Sequence, residues 1–278
     1  MPKKKGRGHF MTVDFHTHTF PDRIAAQSIA FLSEKGGIRA HRAGTLDALK
    51  ESMRRSGVDY SVVLPVATRP QQEASINALS KAENGKQGVF FAGGIHPDRP
   101  NVGETLDFIK DAGLFGIKLH PDYQDVDFDD PRYLHIMEQA ARRGLYVVTH
   151  AGIDIAFREH VHCTPDMILR VLAELGSVIE DKLVLAHLGG FELPDDVLRK
   201  LCGKPVYMDT AAVLDLYPEK CREIIRKHGP EKILFATDSP WADQRAFLEL
   251  FHSFGFSKAD EEQMLWRNAE RLLGVRLL

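Results

Sequence analysis

The chain predicts a single α/β domain closed as a (β/α)8 TIM barrel, and three observations predict it. Its 278 residues suit one such unit. Eight short apolar runs recur along it, each followed by a helical pattern. Residues able to do chemistry stand at the C-terminal end of nearly every run, where a barrel gathers its loops around one mouth. An open doubly wound sheet, the main competitor, gives no reason for that last regularity.

The runs are expected as strands near Thr12–His18, Tyr60–Val66, Val89–His96, Phe115–His120, Leu145–His150, Leu183–His187, Val206–Thr210 and Ile233–Asp238. Stretches such as Tyr60-Ser61-Val62-Val63-Leu64 are apolar at consecutive positions, as a strand covered on both faces requires. Between them lie helix signals. Asp130-Pro131 supplies an N-cap and a first-turn proline, Leu134, Met137 and Ala141 share a face, and Gly144 ends the pattern. Thr164-Pro165 opens a second helix with Ile168, Val171, Leu172 and Leu175 on one stripe before Gly176. Asp243 starts a third, whose stripe is Phe247, Leu250, Phe251 and Phe254. Ser257 to Asp260 has the form of a capping box for a C-terminal helix ending near Leu273. The segment from Pro21 to Gly57 is long for one crossover and predicts an extra helix before the second strand.

Residues 1–11 are basic and glycine-containing without an apolar core, and are expected to be a flexible leader, with 12–278 forming the barrel. No apolar run approaches the roughly 20 residues of a membrane span. A formal net charge of −3 argues against a nucleic-acid partner held by phosphate attraction. Cys163, Cys202 and Cys221 are odd in number and unpaired in spacing, which fits a reducing cytoplasm.

Chemistry concentrates in histidines and one aspartate. His16 and His18 lie two apart on an extended backbone, so their imidazoles share a face. His150, His187 and Asp238 follow other apolar runs. Imidazole nitrogen and carboxylate oxygen are zinc ligands, and catalytic zinc keeps an open position.

These residues, with Lys118 in Gly116-Ile117-Lys118-Leu119-His120, His187 in Ala186-His187-Leu188-Gly189-Gly190 and Asp238 in Thr237-Asp238-Ser239-Pro240-Trp241, give a pattern that resembles the amidohydrolase superfamily. The resemblance is to its amidohydrolase-related (amidohydrolase 2) group of metal-dependent barrel hydrolases and spans the chain from Thr12 onward. It implies one of two arrangements. In the first, His16, His18, His150 and Asp238 hold one ion, and His187 stays free as a catalytic residue. In the second, His150 and His187 hold another ion, and a carboxylated Lys118 bridges the two. Lys118 reads equally well as a cation that orients an acidic substrate. Related nuclease-like barrels use a glutamate at the fourth strand and a Gly-x-His-Pro motif. Gly94-Ile95-His96-Pro97 matches the motif, but Lys118 departs from the glutamate.

The expected metal is zinc, as one or two divalent ions, with manganese or iron as alternatives. The expected reaction is hydrolysis of a small-molecule C–N or C–O bond, in an amide, cyclic amide or lactone. Asp238 is expected to take the proton of the attacking water and return it to the leaving group, and His187 to donate to the oxyanion. Barrels of this group also resemble non-oxidative decarboxylases of aromatic or unsaturated acids, which is the alternative. His96, His120 and Trp241 fall at or after strand ends and are expected to touch substrate. Arg69, Arg99, Arg158 and His162 also fall near the mouth, where surface salt bridging is their ordinary role. The acidic run from Asp122 to Asp130 lacks the glycine and glutamate of a calcium loop, and is expected to be a solvated wall of the site. Related barrels imply a homodimer.

Overall fold

Hydrogen bonding carries the strands around a complete ring. The structure, a computed structural model, describes residues 11–277, so the expected leader lies outside the described residues except for Met11. Strands β1 (Val13–Thr17), β2 (Tyr60–Val63) and β3 (Val89–Phe91) pair in parallel in that order. A second parallel run contains β4 (Gly93–Gly94), β5 (Gly116–Leu119), β6 (Tyr146–Thr149), β7 (Leu183–Leu185), β8 (Tyr207–Asp209) and β9 (Ile233–Leu234). β3 and β4 are one strand position interrupted at Ala92, whose N–H donates to the Val63 carbonyl at 3.0 Å. A Cβ at position 93 would lie 2.5 Å from Ile109 Cδ1, so glycine lets the helix that carries Ile109 pack this close without moving that side chain.

The two ends of the sequence close the ring. Phe15 N–H donates to Phe235 O at 2.9 Å, Asp238 N–H to His16 O at 2.9 Å, and His18 N–H to Ser239 O at 2.7 Å. The eight expected strands are therefore eight positions of a closed barrel, with the third split in two.

Successive residues serve different cores, as the period of a strand dictates. Val13, Phe15, Val62, Val148, Val184 and Leu234 pack in one cluster, while Val63, Val147, Leu183, Leu185 and Ile233 pack in another with the surrounding helices. Consecutive apolarity in the sequence has this cause: both strand faces are buried.

The helices begin where the caps are. Helices α1 (Asp22–Gly36) and α2 (Leu46–Ser56) fill the long segment before β2, and Thr45 caps α2 by accepting from Ala48 N–H. α3 (Glu73–Glu83) and α4 (Val102–Asp111) follow. A single turn, α5 (Pro121–Gln124), precedes α6 (Pro131–Arg142), which Asp130 caps. Thr164 caps α7 (Pro165–Leu175). After α8 (Pro194–Lys200) and α9 (Pro218–His228), Asp243 caps α10 (Gln244–Ser253). The C-terminal helix runs as α11 (Lys258–Glu262), a π-helical segment at Gln263–Arg267, and α12 (Asn268–Leu273). Among the described residues, no helix is long and apolar enough to cross a membrane.

Candidate metal centre and active site

A bulge in β1 aims the two histidines. Asp14 pairs with Ser61 and Thr17 with Val63, so β1 spends one more residue than β2 over the same interval. The extra residue changes the strand's facing parity. Val13 and Phe15 point into the inner cluster, yet His16 points inward too. His18 then follows on the same side.

Each ring has one nitrogen fixed. His16 Nδ1 lies 2.9 Å from Asp209 Oδ2, and His18 Nδ1 lies 3.0 Å from the Leu64 carbonyl. Both partners accept, so both Nδ1 atoms carry the proton and both Nε2 atoms present lone pairs. Those Nε2 atoms are 3.1 Å apart, and Asp238 Oδ1 lies 3.1 Å from one and 3.6 Å from the other. Three electron-pair donors thus face one point with no proton between them. Burial, reinforced by the Lys118 charge, holds His16 well below the usual histidine pKa and so disfavours an imidazolium there. A divalent cation resolves the arrangement, and the donor set His₂Asp is one that zinc accepts.

Lys118, on β5, is 1% exposed, and its Nζ sits 3.5 Å from His16 Nε2. Burial pulls its pKa down to about 8, against the opposing pull of Asp209 and Asp238. Burial tends to raise the Asp238 carboxyl, but its contact with His18 and the nearby His16 and His187 leave it below its ordinary value.

His150 and His187 form a pair of their own. His187 Nδ1 donates to the Ala211 carbonyl at 2.9 Å, which leaves Nε2 to accept from His150 Nδ1 at 3.0 Å. His150 does not converge with His16, His18 and Asp238; it groups with His120 and Asp154. Its ring stacks on His120 with centroids 4.6 Å apart and planes 7° from parallel. The backbone past β6 turns this side chain toward the β5 loop instead of the β1 pair. Both His187 ring nitrogens are thus engaged, Nδ1 with Ala211 and Nε2 with His150. Both His187 (φ 58°) and Asp238 (φ 71°) hold left-handed backbone, a strain of about 1–3 kcal/mol each that clusters at functional sites.

His120 lies inside the constellation, with Nε2 3.6 Å from Asp154 Oδ2 and Nδ1 3.9 Å from Asp122 Oδ2. The structure does not bring His96 in. Its Nδ1 accepts from the Asp98 N–H at 3.2 Å, and its own N–H donates to Glu73 at 2.6 Å. Trp241 is half-buried, and its backbone N–H donates to the Asp238 carbonyl at 2.9 Å, bracing the turn that carries Asp238.

Three carboxylates escaped the sequence reading. Asp209 ends β8 and fixes His16, and the strand-end rule that singled out His150 and His187 would have found it. Asp154 follows β6, and burial raises its pKa to about 6. Asp122 belongs to the acidic run expected to be a solvated loop, but it is buried in α5 and accepts from His162 Nδ1 at 3.1 Å. Only part of that run is solvated, because α5 folds Asp122 and Gln124 under the mouth. Gln124 donates to the Ala67 and Ile95 carbonyls at 2.8 and 2.7 Å.

Solved structures share this barrel. A proposed 2-pyrone-4,6-dicarboxylic acid hydrolase from Pseudomonas putida superposes with a TM-score of 0.68 at 18% identity, covering 97% of this chain and 100% of that one. The 5-carboxyvanillate decarboxylase of Sphingomonas paucimobilis gives 0.74 at 15% identity, over 96% and 100%. A dihydroxybenzoic acid decarboxylase from a Polaromonas species, solved with manganese and 2-nitroresorcinol, gives 0.69 at 15% identity, over 95% and 97%. No curated protein sequence matches the chain. The amidohydrolase family model matches residues 13–275, nearly the whole sequence, and with that match the chain belongs to the amidohydrolase family.

Proposed function

We propose that this chain is a metal-dependent hydrolase of a small-molecule amide, cyclic amide or lactone. The observation that carries the reading is the convergence of His16 Nε2, His18 Nε2 and Asp238 Oδ1 with no proton among them. His16, His18 and Asp238 would hold one ion, zinc by preference with manganese or iron as alternatives. When bound, such an ion polarises a carbonyl and lowers the pKa of water from 15.7 toward about 7. Asp238, ionised by its histidine neighbours, takes the proton of the attacking water and delivers it to the leaving nitrogen or oxygen. Lys118, buried and aimed at the same point, supplies positive charge toward an acidic group on the substrate. His187, braced on Ala211 through Nδ1, would offer the oxyanion a hydrogen bond from Nε2, with a proton drawn from solvent and the His150 contact released. In this reading the ion has three protein ligands, while His150 and His187 pair with each other. The free thiols of Cys163, Cys202 and Cys221 fit a cytoplasmic setting.

Decarboxylation of an aromatic or unsaturated acid is the second reading, favoured by Asp154. Losing carbon dioxide leaves a carbanion that must be protonated, and a carboxyl whose pKa is raised to about 6 beside His120 is a proton source. A metal-loaded sample screened against amides, lactones and aromatic acids separates the two. A new carboxylate with an amine or alcohol supports hydrolysis, and released carbon dioxide supports decarboxylation. Asp238→Asn is expected to lower turnover by about 10²–10⁴ while the protein stays folded, because the backbone N–H of residue 238 keeps its bond to His16 O. Wild-type turnover in that variant would remove Asp238 from the reaction.

A further inference from the structure

Two loops at the barrel mouth carry a donor cluster that the proposed reaction does not use. Asp127 lies between α5 and α6, and His160 and His162 lie between β6 and α7. One ligand atom from each falls within 4.8 Å of the others. His160 Nε2 is 2.6 Å from Asp127 Oδ1, and the two imidazoles meet edge to face with centroids 4.3 Å apart.

His162 supplies the second observation. It is 8% exposed, and its Nδ1 donates to Asp122 Oδ1 at 3.1 Å. That bond leaves Nε2 as a lone pair, and the nearest charged atom to it is Asp125 Oδ1 at 3.5 Å, another acceptor. A lone pair facing a carboxylate is unfavourable unless a proton, a cation or a donating water lies between them, and the Asp125 side chain is 97% exposed. A carboxylate on one nitrogen of an imidazole, with the other nitrogen turned toward an acidic partner, is the arrangement that orients histidine ligands of metals.

We propose that His160, His162 and Asp127 form a second divalent-metal site of the zinc class at the barrel rim. Two imidazoles and one carboxylate match zinc's preference for nitrogen and oxygen ligands, with a fourth tetrahedral position left to water. Ligands about 2.0–2.2 Å from such an ion stand more than 3 Å apart, so loading would open the 2.6 Å His160–Asp127 contact slightly. The ion would clasp the loop after β5 to the loop after β6. Asp122, which orients His162, also faces His150 Nε2 at 3.8 Å and His120 Nδ1 at 3.9 Å, so the clasp sits one residue from the pocket. The rival is a pair of surface ion pairs, with His162 protonated on both nitrogens.

Zinc alone decides between them, read by competition with a chromophoric chelator on the full chain. A His16→Ala/Asp238→Ala variant, which lacks the inner centre, is expected to retain one zinc. Adding His160→Ala or Asp127→Asn to it should weaken that zinc at least about tenfold. No zinc on the inner-centre variant, or binding indifferent to both rim substitutions, would overturn the site. Should the inner-centre variant fail to fold, wild type and His160→Ala are compared directly. Wild type is then expected to hold one zinc more, and equal counts refute the proposal. Tryptic cleavage at Arg158 provides a readout independent of stoichiometry. Zinc should slow it in wild type and not in His160→Ala, whereas equal slowing in both counts against the clasp.

Discussion

Asp209 serves two elements with one carboxylate. Oδ2 accepts from His16 Nδ1, while Oδ1 accepts from the His187 and Ala211 N–H groups at 2.9 and 3.0 Å. It therefore sets the tautomer of His16 and the turn that carries His187 together. Asp209→Asn keeps one acceptor for the two N–H groups but turns an NH₂ toward His16 Nδ1. His16 would then have to move its proton to Nε2, which removes the lone pair from the metal centre. Metal affinity of the inner centre is expected to fall about 10–100-fold, measured by chelator competition. Affinity equal to wild type would mean that Asp209 only supports the backbone.

At the scale of elements, local signals wrote the helices and tertiary contacts wrote the site. Asp130, Thr164, Asp243 and Ser257 were each readable as caps, and each accepts from a backbone N–H at the start of its helix. Thr164→Ala, which loses the 3.2 Å bond from Met167 N–H, is expected to cost about 1 kcal/mol and lower Tm by roughly 2–4 °C. An unchanged melting temperature would show that Pro165 alone starts α7. Strand ends were equally legible, since apolar runs stop where the chemistry starts. The π-helical segment at Gln263–Arg267 was not, because the stripe of a helix changes little when one turn widens. Nor was the direction of His150. Spacing says that a residue follows β6, but the stacking on His120 and the bond to His187 depend on loops from other strands. The burial of Asp122 was hidden for the same reason: a run of acids looks solvated until α5 folds one of them under the mouth.

Across the whole molecule, the metal centre straddles the seam where the barrel closes. His16 and His18 come from β1, Asp238 comes from the turn after β9, and Asp14 holds the two together. Its carboxyl accepts from Thr237 N–H at 2.9 Å, Thr237 Oγ1 at 2.6 Å and Gln244 Nε2 at 2.7 Å. Burial raises its pKa from 3.8 to about 6, and the hydrogen bonds from Thr237 and Gln244 only partly oppose the rise. An acid whose folded pKa exceeds its unfolded value binds its proton more tightly when folded. Its contribution therefore favours the fold at low pH and is lost as pH rises from about 4 to about 6. The difference between 3.8 and about 6 corresponds to roughly 3 kcal/mol. Asp14→Asn should remove that loss without breaking the seam. Gln244 Oε1 is buried without a partner, so its amide can reverse and accept from the new NH₂. Other buried groups titrate nearby, so the quantity to follow is the difference between variant and wild type in metal-free protein. Urea unfolding from pH 4 to 7 should show the variant gaining on wild type by up to about 3 kcal/mol across that window. Parallel stability curves would mean that Asp14 stays ionised in the closed barrel, and that the seam joining the two halves of the metal centre is held by a buried charge.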